Sequence, residues 1–464
     1  MRDADRPNIV LVTCDQLRAF EVGCYGNDVI RTPNIDQLAS EGVRFETAVS
    51  NCPVCMPVRS ALLSGQYART CTGALNNVAD WLRDADRWTM PQFPQHGRPH
   101  LPDRTLPEIL LAEGYHTSTI GKWHIHSWPH EIGFDEYVIP RLYHRHSGQS
   151  YTEHGGPEFV PQQWSVDFEC ERVAQALGER AEAAGPFFLY YNISPPHCPL
   201  ADAPEQYLRM YDPDEIPLRE NVPIGVDGAL PFNEEAFRIY RWDFKYYEHR
   251  LPHTLQLPDG YDLRNLIAEY YGLTTWVDDA VGRLIENLDA SGLGEDTIVV
   301  FVSDHGDMLG SHGAWQKGAL LEEATRVPLI VRWTGELRPL VIREHVASLV
   351  DLAPSLLALI DSEIPEHMQG RDLSAAMHGA LSAADTHAFM ESRGDGIGIR
   401  TPEYVYAIPW ADGPPSLGDG PHRFHDVEAD PSQLQNLAGT DSQQDVASVL
   451  DQQLRQWHSN TPWM

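Results

Sequence analysis

A thiol, a proline and an arginine fall within five residues at Cys55-Met56-Pro57-Val58-Arg59. Proline suits the first position of a helix, where its missing N–H would be unbonded anyway. Ser60-Ala61-Leu62-Leu63 propagates that helix, and Gly65 can close it in a left-handed conformation. Cys55 is thus expected at a helix N-terminus, where free N–H groups and the helix dipole favour negative charge. Arg59, one turn on, adds a full positive charge on the same side. Such a place suits a nucleophile that receives an anion. Cys52 and Cys55 also form a Cys-x-x-Cys pair, but Cys14, Cys24, Cys71, Cys170 and Cys198 are isolated, so a zinc site lacks its second ligand pair.

Further chemistry-bearing residues sit where apolar runs end. Asn8–Thr13 runs into Cys14-Asp15-Gln16, Tyr115–Ile120 into Gly121-Lys122-Trp123-His124, Pro186–Ile193 into Ser194-Pro195-Pro196-His197, and Thr297–Ser303 into Asp304-His305-Gly306. These runs, with Val327–Trp333, read as buried parallel strands. Helices lie between them. One is opened by Thr32-Pro33 and ended at Gly42, one is opened by Thr105-Leu106-Pro107-Glu108 and ends near Gly114, and a long one spans about Leu263–Leu288 before Gly292. The alternation predicts an α/β fold with a large, mostly parallel sheet sandwiched by helices. Ligands of such sheets bind outside the carboxyl ends of the strands, so these strand ends are expected to share one site. Asp15 and Asp304 are the best candidates for a divalent cation with oxygen-rich ligands, with Gln16 and His305 to complete its shell.

This set resembles the type I sulfatases, formylglycine-dependent members of the alkaline phosphatase superfamily. The resemblance rests on Asp15-Gln16, Cys55-x-Pro57-x-Arg59, Gly121-Lys122-Trp123-His124, Ser303-Asp304-His305-Gly306 and a following Lys317, all in the family's order. Thr32-Pro33-Asn34-Ile35-Asp36 and Arg423-Phe424-His425-Asp426-Val427 look like further landmarks, so the similarity covers nearly the whole chain. It implies that a formylglycine-generating enzyme oxidises Cys55 to an aldehyde. Asp15, Gln16, Asp304, His305 and the converted Cys55 would then bind one metal, usually Ca2+, with Mg2+ or Mn2+ as alternatives. The hydrated aldehyde would attack sulfur, while Lys122 and Lys317 offset charge on the ester oxygens. Arg59 would hold the formylglycine oxygen, His197 would protonate the leaving oxygen together with Lys317, and His124 would take the proton that lets sulfate depart. Gln16 and His305 replace the aspartate and asparagine of many members. Both variants also occur in related phosphonate monoester and phosphodiester hydrolases, which makes that activity the first alternative. An unconverted Cys55 would leave a non-catalytic anion-binding protein.

Specificity is expected from the basic, aromatic stretch His126, Trp128, His130, Arg141, His144, Arg145 and His146, with His312 and Trp315 near Lys317. The Pro- and aromatic-rich segment Asp202–Tyr261 reads as an insertion that could wall the pocket. After about residue 382 the strands shorten, to Gly396–Arg400, Tyr404–Ile408 and Arg423–Val427, with a polar helix near Gln443–Trp457. The expected division is a catalytic domain at 1–382 and an antiparallel α+β subdomain at 383–464.

Composition bounds the partners. Of 464 residues, 67 are acidic and 34 basic, a net charge of −33. That argues against nucleic acid and mildly against a polysulfated polymer, but leaves room for a small anionic ester, such as a sulfated sugar, in a locally positive pocket. No apolar run is long enough to span a membrane. The N-terminus is read as leading directly into the first strand, without room for a signal peptide, and the seven cysteines are odd in number and, apart from Cys52 and Cys55, lack paired spacing. A cytoplasmic protein is expected.

Overall fold

The computed structural model describes residues 6–77, 101–125, 127–141, 144–226, 228–242, 257–380 and 386–464. Its strands are β1 (Asn8–Asp15), β2 (Val43–Val49), β3 (His116–Gly121), β4 (Glu136–Pro140), β5 (Tyr151–Glu153), β6 (Phe187–Pro196), β7 (Thr297–Ser303), β8 (Arg326–Val327), β9 (Leu329–Arg332), β10 (Leu340–Ser348), β11 (Ala388–Ser392), β12 (Gly396–Arg400), β13 (Tyr404–Ile408) and β14 (Arg423–Asp426). Among the described residues the first ten form one sheet in the order β10-β2-β9-β7-β1-β6-β3-β4-β5, with β8 paired to β2. The centre, β7-β1-β6-β3-β4, is parallel throughout. β9 departs from expectation: it is antiparallel to both β7 and β2. A run of apolar residues reports burial on both faces, not strand direction.

β1 is buried at every residue because it has parallel neighbours on both sides. Its side chains alternate between two cores. Val10, Val12 and Cys14 pack with Val173 and Leu177 of the Ser165–Glu182 helix and with the Leu263–Ala290 helix. Ile9 and Leu11 face the other way, toward the Cys55–Ser64, Leu106–Ala112 and Leu352–Leu359 helices. The same alternation puts Phe188 and Tyr190 of β6 and Ile298, Val300 and Val302 of β7 on that second face. Continued past the apolar residues, it aims Asp15, Asn192 and Asp304 at the helix that carries Cys55.

Local devices sharpen this aim. The register between β1 and β6 shifts at Cys14/Asp15, and such an irregularity re-aims a side chain at the end of a ladder. Gln16 follows with a left-handed φ of 67°, a conformation that costs a non-glycine residue energy and survives where the surroundings over-determine it. Here Tyr270, from the long helix, donates its hydroxyl to the Gln16 carbonyl. Gly121 ends β3 at φ 94°, where a Cβ would meet the Asn192 carbonyl oxygen at 2.1 Å. That carbonyl accepts the Lys122 N–H at 2.9 Å. Gly121→Ala is therefore expected to destabilise the fold by about 2 kcal/mol or more and to displace Lys122. Urea denaturation of the variant beside the parent protein checks it.

The remaining four strands form a separate antiparallel sheet, β11-β12-β13-β14, with the Gln444–Asn460 helix against it. This piece grips the segment that follows the Cys55 helix. Arg69 is fully buried, pairs with Glu391 of β11 at 2.5 Å, donates to His458 at 2.7 Å, and lies against the rings of Trp457 and Trp463. Among the described residues no helix is long and apolar enough to cross a membrane.

Candidate active site

The helix N-terminus lies two residues earlier than expected. Val54 is its cap, Cys55 its first residue and Pro57 its third, and Gly65 closes it at φ 65°. Pro57 is still harmless, because N–H groups in the first turn have no partner within the helix. Cys55 comes to rest completely buried, with its sulfur 3.1 Å from His305 Nε2, 2.9 Å from Lys317 Nζ and 3.7 Å from Asp15 Oδ1. Burial pushes the thiol up, but Lys122, Lys317 and His305 outweigh it and hold the group well below its ordinary value.

Asp15, Cys55, Asp304 and His305 each present a ligand atom within 4.8 Å of the others, and all four are buried. His305 places Nδ1 2.8 Å from the Gly306 carbonyl, which can only accept. Nδ1 therefore carries a proton, and Nε2 is the ring atom that faces the cluster. Gln16 gives its amide N–H to Asp307, and its Oε1 accepts from Lys317 at 3.0 Å. Two carboxylates, one imidazole nitrogen and the side chain at 55, with the Gln16 carbonyl beside them, make a donor set suited to one divalent cation.

Arg59 reaches three side chains at once. Its guanidinium donates to Asp304 Oδ2 at 2.9 Å, to Asp15 Oδ2 at 3.0 Å and to Asn192 Oδ1 at 2.8 Å. It fixes the two carboxylates of the cluster. Geometry explains these partners: Asp15 and Asp304 stand at the ends of two adjacent strands and Asn192 lies within the next, β6, all on the face that the Cys55 helix covers, so a planar fork one turn into that helix meets all three. Lys122 adds a second cation on Asp15. Although burial and the neighbouring Cys55 both raise Asp15, Lys122 and Arg59 hold its carboxyl well below the usual range. Burial and the neighbouring Asp15 charge push Asp304 up.

Three histidines surround the cluster. His197 donates from Nδ1 to the Cys198 carbonyl at 2.6 Å and receives Lys317 at Nε2 at 2.8 Å. His144 stacks on it, ring centroids 3.7 Å apart and 8° from parallel, with Lys122 3.5 Å from its Nδ1. His124 is buried beside Cys55. Burial pushes His124 and His197 down to about 4 and His144 well below its ordinary value, so all three are neutral at pH 7.

The structure thus brings together Asp15, Gln16, Cys55, Arg59, Lys122, His124, His144, His197, Asp304, His305 and Lys317. It uses the other specificity candidates elsewhere. Arg141 pairs with Glu158, and Arg145 donates to the Ser147 carbonyl. Trp128 and His130 stack together by Tyr137, and His146 is buried against Ser165 and Trp276. His312 sits by Asn221 and Glu323, and Trp315 packs on Phe232 and Tyr240. His126 lies outside the described residues. The 202–261 segment does reach the site's supporting layer: Tyr240 donates to Asp307, the carboxylate that orients Gln16, and accepts the Gln316 N–H.

Asn192 and Asp307 escaped the sequence reading. A polar residue at the end of Phe-Phe-Leu-Tyr-Tyr-Asn, and a second acid three residues after Asp304, were the signals. So did the way in. A cleft of about 660 Å³ has Lys317 and Val54, the cap of the Cys55 helix, in its wall. The rest of its lining includes Asn76, Asn77 and the turn Arg393–Asp395 between β11 and β12.

Comparison with known proteins agrees with this geometry. The family model described as Sulfatase matches residues 7–362. An ulvan-active sulfatase of Formosa agariphila is 31% identical over 97% of this chain and 80% of its own. An N-acetylglucosamine-6-O-sulfatase of Bacteroides thetaiotaomicron is 25% identical over 99% of this chain and 88% of its own. Among solved structures, one in complex with its substrate D-glucosamine-2-N,6-O-disulfate shares the fold at a TM-score of 0.75 and 23% identity, over 98% of this chain and 97% of that one. The phosphonate monoester hydrolase of Agrobacterium radiobacter shares it at 0.71 and 21%, over 98% and 96%. The chain belongs to the sulfatase family and is a sulfuric ester hydrolase.

Proposed function

We propose that the protein cleaves a sulfate ester on a sugar, with Cys55 converted to formylglycine by a maturation enzyme and one divalent cation held by Asp15, Asp304, His305, Gln16 and residue 55. The observation that carries this reading is the buried cluster itself: four ligand atoms within 4.8 Å, with two lysines against it. The conversion would supply a hydrated aldehyde, with one hydroxyl for attack on sulfur and a second whose deprotonation releases sulfate by C–O cleavage. The cation, when bound, would favour the ionised hydroxyl and offset charge on the ester oxygens.

The chain's own residues do the remaining work. Arg59 locks the carboxylates of Asp15 and Asp304 in place. Lys122 and Lys317 place positive charge where the sulfuryl oxygens gather, inside a site shielded from water. Lys317, 2.8 Å from His197, shares with it the proton that the leaving oxygen needs. His124 receives the proton from residue 55. The sugar part of the reading is supported by relatives named for ulvan and N-acetylglucosamine and by the glucosamine disulfate complex. Seven cysteines free of disulfides suit a cytoplasmic setting.

Peptide mass at residue 55, read beside turnover of p-nitrophenyl sulfate and p-nitrophenyl phenylphosphonate, tests the reading. The expected result is an aldehyde at 55 and preferred sulfate turnover, lost on chelation and restored by Ca2+ in preference to Mg2+ or Mn2+. Full activity with an intact thiol overturns the mechanism. Preferred phosphonate turnover transfers the protein to the phosphonate monoester hydrolases.

A further inference from the structure

The wall of the cleft carries three cations, and their partners differ. Lys317 is committed to the cluster through Cys55, Gln16 and His197. Arg423 is matched by Asp395, donating to Oδ2 at 2.9 Å and to Oδ1 at 3.1 Å. Asp395 has nothing left to offer, because Oδ1 also takes His422 at 2.6 Å and Oδ2 the Leu320 N–H at 2.7 Å. Arg393, two residues earlier in the same turn, is exposed and has no hydrogen-bond or ion-pair partner among the described residues.

A guanidinium with no partner among the described residues is conspicuous in a chain with 67 acidic and 34 basic residues. A carboxylate partner would have been easy to supply, and the one acid in the same turn is turned to other donors. The turn is also held in place. Gly396 opens β12 at φ 94°, where a Cβ would strike the Ile408 carbonyl oxygen. Ser392 ties the turn's other end by donating to the Gly318 carbonyl, next to Lys317. The positive end of Arg393 is thus borne on a fixed strut that starts beside the lysine touching residue 55.

We infer that Arg393 is the specificity residue of this enzyme: it holds a second anionic group, a carboxylate or a further sulfate, on the sugar that carries the scissile ester. This rests on the sulfate-ester reading above and names the substrate class within it. The planar fork of a guanidinium suits either group bidentately. Asn77 in the same cleft wall accepts the Met56 N–H at 3.1 Å and is spent on the helix start. Asn76 is exposed there and offers a neutral amide for sugar hydroxyls.

The test compares the parent enzyme with Arg393→Ala and Arg393→Lys on a 2-O-sulfated hexuronate, glucosamine-2-N,6-O-disulfate, N-acetylglucosamine 6-sulfate and p-nitrophenyl sulfate. For the preferred doubly anionic sugar, Arg393→Ala is expected to lower kcat/KM relative to that for N-acetylglucosamine 6-sulfate by about tenfold or more, mainly through KM. Arg393→Lys restores part of the loss. Whether the uronate or the disulfate shows the loss identifies the second group as carboxylate or sulfate. An unchanged ratio for both overturns the inference. Titration calorimetry in a Cys55→Ala background separates it from the reaction itself. Tighter binding of a doubly anionic sugar that Arg393→Ala abolishes supports Arg393 even if no sulfate ester is turned over, a result that would overturn the proposed reaction alone. No preference for doubly anionic sugars in that background overturns the role of Arg393.

Discussion

Replacing Cys55 by alanine is expected to lower sulfate-ester turnover by about 10⁴-fold or more while the protein stays folded. The two halves of this expectation have separate grounds. The functional half follows from position: residue 55 is the point on which Lys317, His305 and Asp15 converge, and a methyl group there has no atom to offer sulfur. Neighbouring cations can stabilise charge but cannot form the covalent bond. The structural half follows from size. Alanine removes one buried heavy atom from a helix that Val58, Leu62 and Leu63 still anchor in the core, a loss of about 1–2 kcal/mol. Initial rates on p-nitrophenyl sulfate and a urea titration of the same preparation check both halves. Turnover within tenfold of the parent would remove residue 55 from the reaction.

Arg59→Gln is expected to be the more damaging change to the molecule as a whole. The guanidinium is buried and donates to two carboxylates, Asp15 and Asp304, that are themselves completely buried. Removing it takes the guanidinium from Asp304 and leaves Asp15 with Lys122 alone, a loss of about 3–5 kcal/mol. Glutamine is too short and presents too few donors to reach Asp15, Asn192 and Asp304 together. Lysine keeps the charge but replaces the fork with a point, so Arg59→Lys should recover part of the stability and little of the turnover. Denaturation of both variants in the metal-free state, followed by kinetics after metal addition, separates the two effects. Parent-like stability for Arg59→Gln would show that the carboxylates draw their compensation from elsewhere.

The centre of the fold was legible because its strands are buried on both faces. Asn8–Asp15, Phe187–Pro196 and Thr297–Ser303 are near-continuous apolar runs ending in polar residues, and the rule for ligands at the carboxyl ends of parallel strands places Asp15, His197 and Asp304 without further information. Strand direction was not legible everywhere in the sheet. Leu329–Arg332 is as apolar as its neighbours, and its antiparallel course depends on how the chain returns from the site. Partner choice was equally hidden. The one-turn spacing puts Arg59 beside Cys55, but only the alternation of side chains along β1, β6 and β7 shows that its fork meets residues from three strands. Charge in a loop misled for a related reason. Arg141 and Arg145 are basic residues near the right strand, yet Glu158 and a backbone carbonyl claim them. Arg393 lies more than 70 residues beyond Lys317, in a hairpin turn of a different sheet, and no local pattern connects the two.

The socket around Arg69 bears on how such enzymes can be recombined. Because the specificity turn and Glu391 share one hairpin, and Trp457 and Trp463 come from the last helix and the residues after it, a chimera that borrows this hairpin and tail from a relative inherits its grip on the Cys55 side of the molecule as well. A donor lacking that acid and those indoles would strand a guanidinium in the dry interior. Grafts meant only to alter sugar preference should therefore exchange the turn and leave the socket in place.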